Sequence, residues 1–416
     1  MSNTAIAILV FMVSIVVSTL AYPRVLHFAK SHDIVDNPNA RKLQRMPVPV
    51  MGGLVVFMGI ICGCLVLQAF VDEPLIQWGL TGMSLMLIVG MWDDIKSLSA
   101  AFRFLFEMVL VGVFIWQTDI YLDDLHGLWG IHQLEPWVAI SLSLIVGVGL
   151  INVMNLIDGV DGYSSGYGMT ACLCFAVLFW LVWSPVMVCM ALIVLGALLP
   201  FFMHNVFGVR SKMFIGDGGT LMLGMLMVLF VFYSLSSRSH CASLEADGVG
   251  LIALALSVVC IPWFDTMRVM AMRILRGKSP FKPDKTHMHH LFIDMGFSHL
   301  GAAVSILLLN QSVVLAWLVS WQLGASIDIQ TYVVVALGSL LTFGFYKLMK
   351  IHQNSGPLDK EGYPQGTALW HFFCKMGKFS HREKGRVWKS LRRLMDSGLL
   401  SWGLKDERDR KGSQSY

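Results

Sequence analysis

Four short motifs carry most of the groups able to do chemistry in this 416-residue chain. They are Trp92-Asp93-Asp94-Ile95-Lys96, Asn155-Leu156-Ile157-Asp158-Gly159-Val160-Asp161-Gly162, Phe214-Ile215-Gly216-Asp217-Gly218-Gly219-Thr220 and His287-Met288-His289-His290. Adjacent carboxylates repel, so a bound cation or a phosphate-handling task would explain Asp93 beside Asp94. Asp158 and Asp161 share one side of the chain if their segment is helical. Asp217 sits among glycines that let backbone approach a ligand, just before a helix whose N-terminus attracts phosphate. Imidazoles at His287, His289 and His290 can donate to phosphate oxygens. Plainer readings stand beside these. The Asp pair could end a helix at the headgroups, the glycines could be turns, Asp217 could cap the next helix, and the histidines could be a surface accident. The histidines alone would also suit zinc, but the carboxylates favour a hard cation with oxygen ligands.

The elements that must position these motifs are membrane helices. The chain is 56% hydrophobic and 14% charged, with a mean hydropathy of +0.65; soluble domains carry roughly 25% charged residues. A soluble enzyme, a disordered chain and a fibrous chain are excluded. A transmembrane barrel is excluded because the apolar residues run in unbroken blocks and do not alternate. At ~20 apolar residues per crossing, eleven spans are expected, at 4–21, 50–70, 78–92, 102–118, 137–153, 164–183, 185–203, 220–235, 248–267, 300–321 and 329–348. The sixth and seventh are separated only by Trp183-Ser184-Pro185. The fold class is therefore all-α and polytopic. The first span lacks a basic n-region and a cleavage site, so it is expected to remain as a helix. Of the eight cysteines, the C-x-C pairs Cys62/Cys64 and Cys172/Cys174 read as small buried residues, and Cys241 alone falls in an outside loop, so no disulfide is expected.

Lys and Arg set the orientation. With the loop before the second span in the cytoplasm, 30 of the 31 basic residues fall inside and only Arg238 outside. That places the N-terminus outside, the C-terminus inside, and all four motifs on the cytoplasmic face. Residues 1–350 read as a transmembrane catalytic domain and 351–416 as a cytoplasmic tail with 13 basic and 7 acidic residues. A basic tail beside a membrane suits anionic lipid better than nucleic acid. Val387, Trp388, Leu391, Leu394 and Met395 form one helical stripe in it, fit either for the membrane interface or for packing within a small subdomain.

The motifs, taken in order with Pro47-Val48-Pro49-Val50-Met51-Gly52-Gly53, resemble the polyprenyl-phosphate N-acetylhexosamine-1-phosphate transferases, glycosyltransferase family 4. That superfamily includes undecaprenyl-phosphate GlcNAc-1-phosphate transferases and the MurNAc-pentapeptide translocase, and the resemblance spans roughly residues 4–348. It implies a bacterial inner-membrane enzyme that moves the sugar 1-phosphate of a UDP-N-acetylhexosamine onto polyprenyl (undecaprenyl) phosphate. UMP leaves, and Mg²⁺ is required, with Mn²⁺ as the alternative. By the same resemblance Asp217 is the metal ligand and Asp93, Asp94, Asp158 and Asp161 are catalytic. Asn155, Phe214, His287, His289 and His290 are substrate-binding, with Phe214 stacking on uracil. Arg45 stands where the translocase branch has a lysine for phosphate. Met288 within the histidine motif favours the GlcNAc branch over the translocase. A homodimer is left open, as is an Asp nucleophile in place of direct attack. The rival from another class is a secondary transporter of an anionic metabolite, but its site would lie near mid-bilayer.

The charge asymmetry generates a direct test. A reporter active only in the cytosol should work when fused after Lys350 and fail at Ser243. The opposite pattern would overturn the orientation.

Overall fold

The computed structural model describes residues 2–36, 46–279, 285–356, 365–380 and 386–400. Its helices in chain order are α1 (Asn3–Ser31), α2 (Gly52–Gln68), α3 (Pro74–Lys96), α4 (Ala100–Thr118), α5 (Pro136–Leu156), α6 (Tyr163–Leu181), α7 (Pro185–Phe207), α8 (Gly216–Leu235), α9 (Leu251–Leu275), α10 (Met288–Asp294), α11 (His299–Gln322), α12 (Ile327–Ser339), α13 (Phe345–Gln353), α14 (Ala368–Phe379) and α15 (Arg386–Leu400). A π turn at Leu340–Gly344 joins α12 to α13. Among the described residues, ten helices are long and apolar enough to cross a membrane. The 17-residue α2 is apolar too, and at about 25 Å it lies at the short end of a span. All eleven expected spans thus coincide with helices, and the chain is a multi-pass membrane protein.

Local chemistry explains where helices begin. Pro74, Pro136 and Pro185 stand in the first turns of α3, α5 and α7, where their missing N–H costs nothing. Ser2, Ser99, Ser298 and Ser326 cap α1, α4, α11 and α12, each accepting a backbone N–H. Several helices outrun the expected spans. α1 continues to Ser31, so Arg24 and Lys30 are helical. α3 carries Asp93 and Asp94 in its last turns and stops at Ser97, whose φ is 49°. α9 runs to Leu275 and takes in Arg268 and Arg273. A helix satisfies its own backbone groups, so it need not stop where the hydrocarbon does.

At the centre lies α8, with 18 of its 20 residues buried. It packs chiefly on α3 and α5, and also on α2. The approach to α3 is close because small residues line it. A Cβ on Gly90 would lie 2.5 Å from the Asp217 carbonyl oxygen, and one on Gly82 would lie 2.8 Å from Met225. A second group of helices, α1, α2 and α7, packs together, and α9, α11 and α12 form a third.

In α9, Pro262 cannot donate to the carbonyl of Val258 one turn back. Asn310 of α11 donates its Nδ2 to that oxygen at 2.9 Å, and the Tyr167 hydroxyl donates to it at 3.1 Å. The Asn310 Oδ1 accepts the Ile261 N–H at 2.9 Å. The proline is thus absorbed by side chains of α6 and α11 and leaves no buried group unpaired.

The only sheet among the described residues is a pair of two-residue strands, Val35–Asp36 and Val48–Pro49, antiparallel. Val50 then bridges to Phe214 in parallel, which ties the first loop to the entry of α8. The tail folds back onto this same end. On α14, Phe373 meets Phe345 at 5.6 Å between ring centres, and Ser380 just beyond accepts the Ser298 N–H at 2.9 Å.

The close α3–α8 contact generates a graded test. Gly90→Val should lower thermal stability by about 1–3 kcal/mol through overpacking. Gly112→Ala, where a Cβ would meet only Leu144 at 3.7 Å, should leave the melting temperature essentially unmoved. Equal melting curves for the two variants would refute the packing account.

Candidate active site

One end of the bundle holds a cavity of about 630 Å³. Ten of the eleven sequence-predicted residues line it: Asp93, Asp94, Asn155, Asp158, Asp161, Phe214, Asp217, His287, His289 and His290. Arg45 lies outside the described residues. The walls are the ends of α3 and α5, the start of α8, the loop after α5, and α10.

The start of α8 is the most constrained part. Gly216 has φ 74°, which favours glycine. The next two N–H groups have no partner within the helix, and Asp94 accepts both: Asp217 N–H at 3.0 Å and Gly218 N–H at 3.3 Å. Asp94 is thus a cap supplied from another helix. Asp217 takes the Asn155 Nδ2 at 2.8 Å on its Oδ1, and Asn155 also reaches the Thr220 hydroxyl at 3.1 Å. Asp93 lies beside Asp217 too, but its own hydrogen bonds go elsewhere. It accepts the Leu98 N–H at 2.6 Å and pairs with Arg103 of α4 at 2.9 Å. The neighbouring acids therefore do different things, which the sequence did not separate.

The loop after α5 carries two more carboxylates. Asp158 accepts the Ser164 hydroxyl at 2.7 Å. Burial pushes its pKa up to about 7; the Ser164 bond works against that, and the charges of Asp217 and Asp161 add to it. Asp161 is held below the usual carboxylate range. Burial alone would raise it, but His299 and Lys212, at 2.8 and 2.6 Å, outweigh that. Gly159 makes room for His289, whose ring would overlap any Cβ there. Burial, and then the charges of His290 and His287, push His289 well below the usual histidine range, so its ring is neutral at pH 7.

The Phe214 segment is held from several sides. Its N–H donates to Pro49 and its carbonyl accepts from Gly52, both at 2.8 Å. Lys212 lies 5.5 Å from the ring centre. Asn205 of α7 accepts the Gly162 N–H at 2.8 Å and donates to the Met213 carbonyl at 2.9 Å. It thereby joins the two loops that carry Asp161 and Phe214. Tyr22 of α1 donates to the Ser211 carbonyl at 2.7 Å. Asp396 of α15 accepts the N–H groups of Val209, Arg210 and Ser211 at 3.1–3.2 Å, and Trp388 meets Phe207 at 4.8 Å.

Sequence reasoning missed several residues here. Asp265, inside the ninth expected span, accepts His287 Nδ1 at 3.0 Å and Arg268 at 2.7 Å. It fixes the His287 ring with Nε2 left for the cavity. Arg268 stacks 3.7 Å from the Tyr346 ring centre. An acid in an apolar run was the available signal. Lys212 and His299 also line the cavity; only their long-range partner, Asp161, distinguishes them, and sequence does not show that.

Residues 76–235 match glycosyl transferase family 4, the stretch from α3 to α8 that holds the seven candidate site residues of the first three motifs. The chain is similar to that family over this stretch. It is 28% identical over 304 residues to a protein of Bacillus subtilis (strain 168) named as a probable undecaprenyl-phosphate N-acetylglucosaminyl 1-phosphate transferase, covering 73% of this chain and 82% of the relative. It is 29% identical over 289 residues to the undecaprenyl-phosphate alpha-N-acetylglucosaminyl 1-phosphate transferase of Escherichia coli (strain K12), covering 67% and 74%. The histidine segment lies beyond the matched stretch, on the α9–α10 unit that Asp265 anchors.

Asp94→Asn leaves one acceptor oxygen for two N–H groups and turns an amide donor toward one of them. It should lower stability by about 1 kcal/mol, the usual cost of a lost cap, and lower turnover with it. A variant with unchanged melting but no turnover would mean that Asp94 acts on substrate and not through α8.

Proposed function

We propose that the protein transfers N-acetylhexosamine 1-phosphate, GlcNAc 1-phosphate foremost, from a UDP-sugar to undecaprenyl phosphate or a related polyprenyl phosphate. The observation that carries this is the convergence of carboxylates, imidazoles and Lys212 from distant segments on one cavity at the end of a membrane bundle. A soluble polyanion and a lipid phosphate can meet only at such a boundary. The names of the relatives support the acceptor and the sugar phosphate. The positive-inside pattern supports a cytoplasmic site, where UDP-sugars are found, and the bacterial relatives support the inner membrane.

In this reading an oxygen of the lipid phosphate attacks the phosphorus that bears the sugar. The bond to the UMP oxygen breaks in line, so UMP leaves and the polyprenyl-diphospho-sugar stays in the membrane. A phosphate monoester has a second pKa near ~6, so the acceptor arrives largely ionised and needs little help from a base. The residues mainly position and neutralise. Lys212, held by Asp161, offers positive charge beside Phe214, whose ring is available to stack on uracil. His287 and the neutral His289 can donate to phosphate oxygens. The residues also fit Mg²⁺ or Mn²⁺: the oxygen donors suit a hard cation, and buried carboxylates clustered around Asp217 need positive charge. Asp217 would hold the ion, which would supply charge neutralisation at the diphosphate.

Purified protein given radiolabelled UDP-GlcNAc and undecaprenyl phosphate should move label into the lipid fraction. Asp217→Asn should do so at least ~10²-fold more slowly. Label that enters the lipid only from UDP-MurNAc-pentapeptide would reassign the donor. Uptake into liposomes with no lipid product would refute transfer.

A further inference from the structure

At the opposite end of α8, about 27 Å from Asp217 by helical rise, a second group of ionisable side chains converges. Asp124 and His126 come from the loop between α4 and α5. Glu245 comes from a short 3-10 helix, His240–Asp247. The three each offer a donor atom, and these atoms all lie within 4.8 Å of one another. His126 is fully buried and Asp124 nearly so. His132 completes the group. An antiparallel bridge between Asp124 and Gln133 brings it alongside, and its Nδ1 lies 3.9 Å from Asp124 Oδ1 and 3.9 Å from Glu245 Oε2.

The orientation of His126 is informative. Its Nε2 lies 3.0 Å from the carbonyl oxygen of Leu235, the last residue of α8. A carbonyl only accepts, so Nε2 carries the hydrogen. In a neutral ring this leaves the lone pair on Nδ1, which faces Glu245 Oε1 and lies 4.0 Å from Asp124 Oδ1. A lone pair aimed at carboxylates requires a positive centre between them. A backbone carbonyl that fixes a buried imidazole in this tautomer is the usual support of a metal-binding histidine. The C-terminal end of α8 adds negative potential. The nearby Arg238 is taken up by Asp119 and Asp123, at 3.2 and 3.3 Å.

We propose that Asp124, His126 and Glu245, with His132 in the fourth position, form a divalent transition-metal site, zinc being the best match to two imidazoles and two carboxylates. Its ligands come from two segments that no span connects directly, so the metal staples the α4–α5 loop to the segment between α8 and α9. It lies at the far end of the bundle from the transfer site and takes no part in the transfer.

The competing arrangement is a doubly protonated His126 paired with the two carboxylates, which binds no metal. Purified full-length protein, with excess Mg²⁺ present to occupy the hard-cation site, would be incubated with zinc chloride and desalted, and its zinc counted by mass spectrometry. Wild type should keep one zinc per chain and melt at a higher temperature with it. Glu245→Gln and His126→Asn should keep none. His132 is exposed, so His132→Ala should fold normally yet hold zinc at least ~10-fold more weakly. Cobalt in place of zinc should give the visible absorption of a tetrahedral site in wild type alone. No zinc on wild type, or zinc held equally by His132→Ala and Glu245→Gln, would overturn the proposal and leave the protonated histidine as the explanation.

Discussion

The contact on which the site depends is the grip of the Asp94 carboxylate on the first turn of α8. A helix that starts inside a bundle exposes N–H groups that water cannot reach. Asp94 meets two of them, and its charge is favoured there by the helix dipole. The contact also sets α3 and α8 in register, so that the Gly90 backbone lies against Asp217. Asp217 is in the same turn, so the cap that stabilises α8 also fixes the position of the carboxylate proposed above to hold a cation.

The same principle recurs elsewhere in the bundle, where several polar groups away from water are paired across helices. Asn310 repairs the gap at Pro262, Asp265 orients His287, and Asn205 couples two loops that share no helix. Each joins segments far apart in sequence, so the cavity is built by the packing of the whole bundle and not by any one motif. Carboxyl groups gathered at Asp93, Asp94, Asp158, Asp161 and Asp217 are offset piecemeal by Arg103, Lys212, His299 and the α8 dipole.

Much of this was legible in the sequence. Unbroken apolar blocks gave the spans, and prolines and serines gave several of their first turns. The acids, glycines and histidines gave the cavity, because side chains too costly to leave in lipid collect at one face. What stayed hidden depends on distance in sequence. Nothing local distinguishes Asp94 from Asp93, since they differ by partner: the first N–H groups of α8 for Asp94, Leu98 and Arg103 for Asp93. Lys212 and His299 look like ordinary polar residues until Asp161 is placed between them. Asp265 and Arg268 are i,i+3 neighbours that could have been read as a pair, but an expected loop boundary fell between them.

The burial of α8 has a consequence for how the chain is made. In the finished protein this helix has almost no contact with lipid, yet its sequence is apolar around its full circumference. It is synthesised after α2, α3 and α5, which form most of its surroundings. Those helices are therefore made before their central partner, which must fill the space between them. An apolar α8 can leave the insertion machinery through lipid and enter that space sideways. The turn at its start, with Asp217, meets Asp94 of the earlier-made α3, so the cavity cannot be complete before α8 and the later α9–α11 are in place.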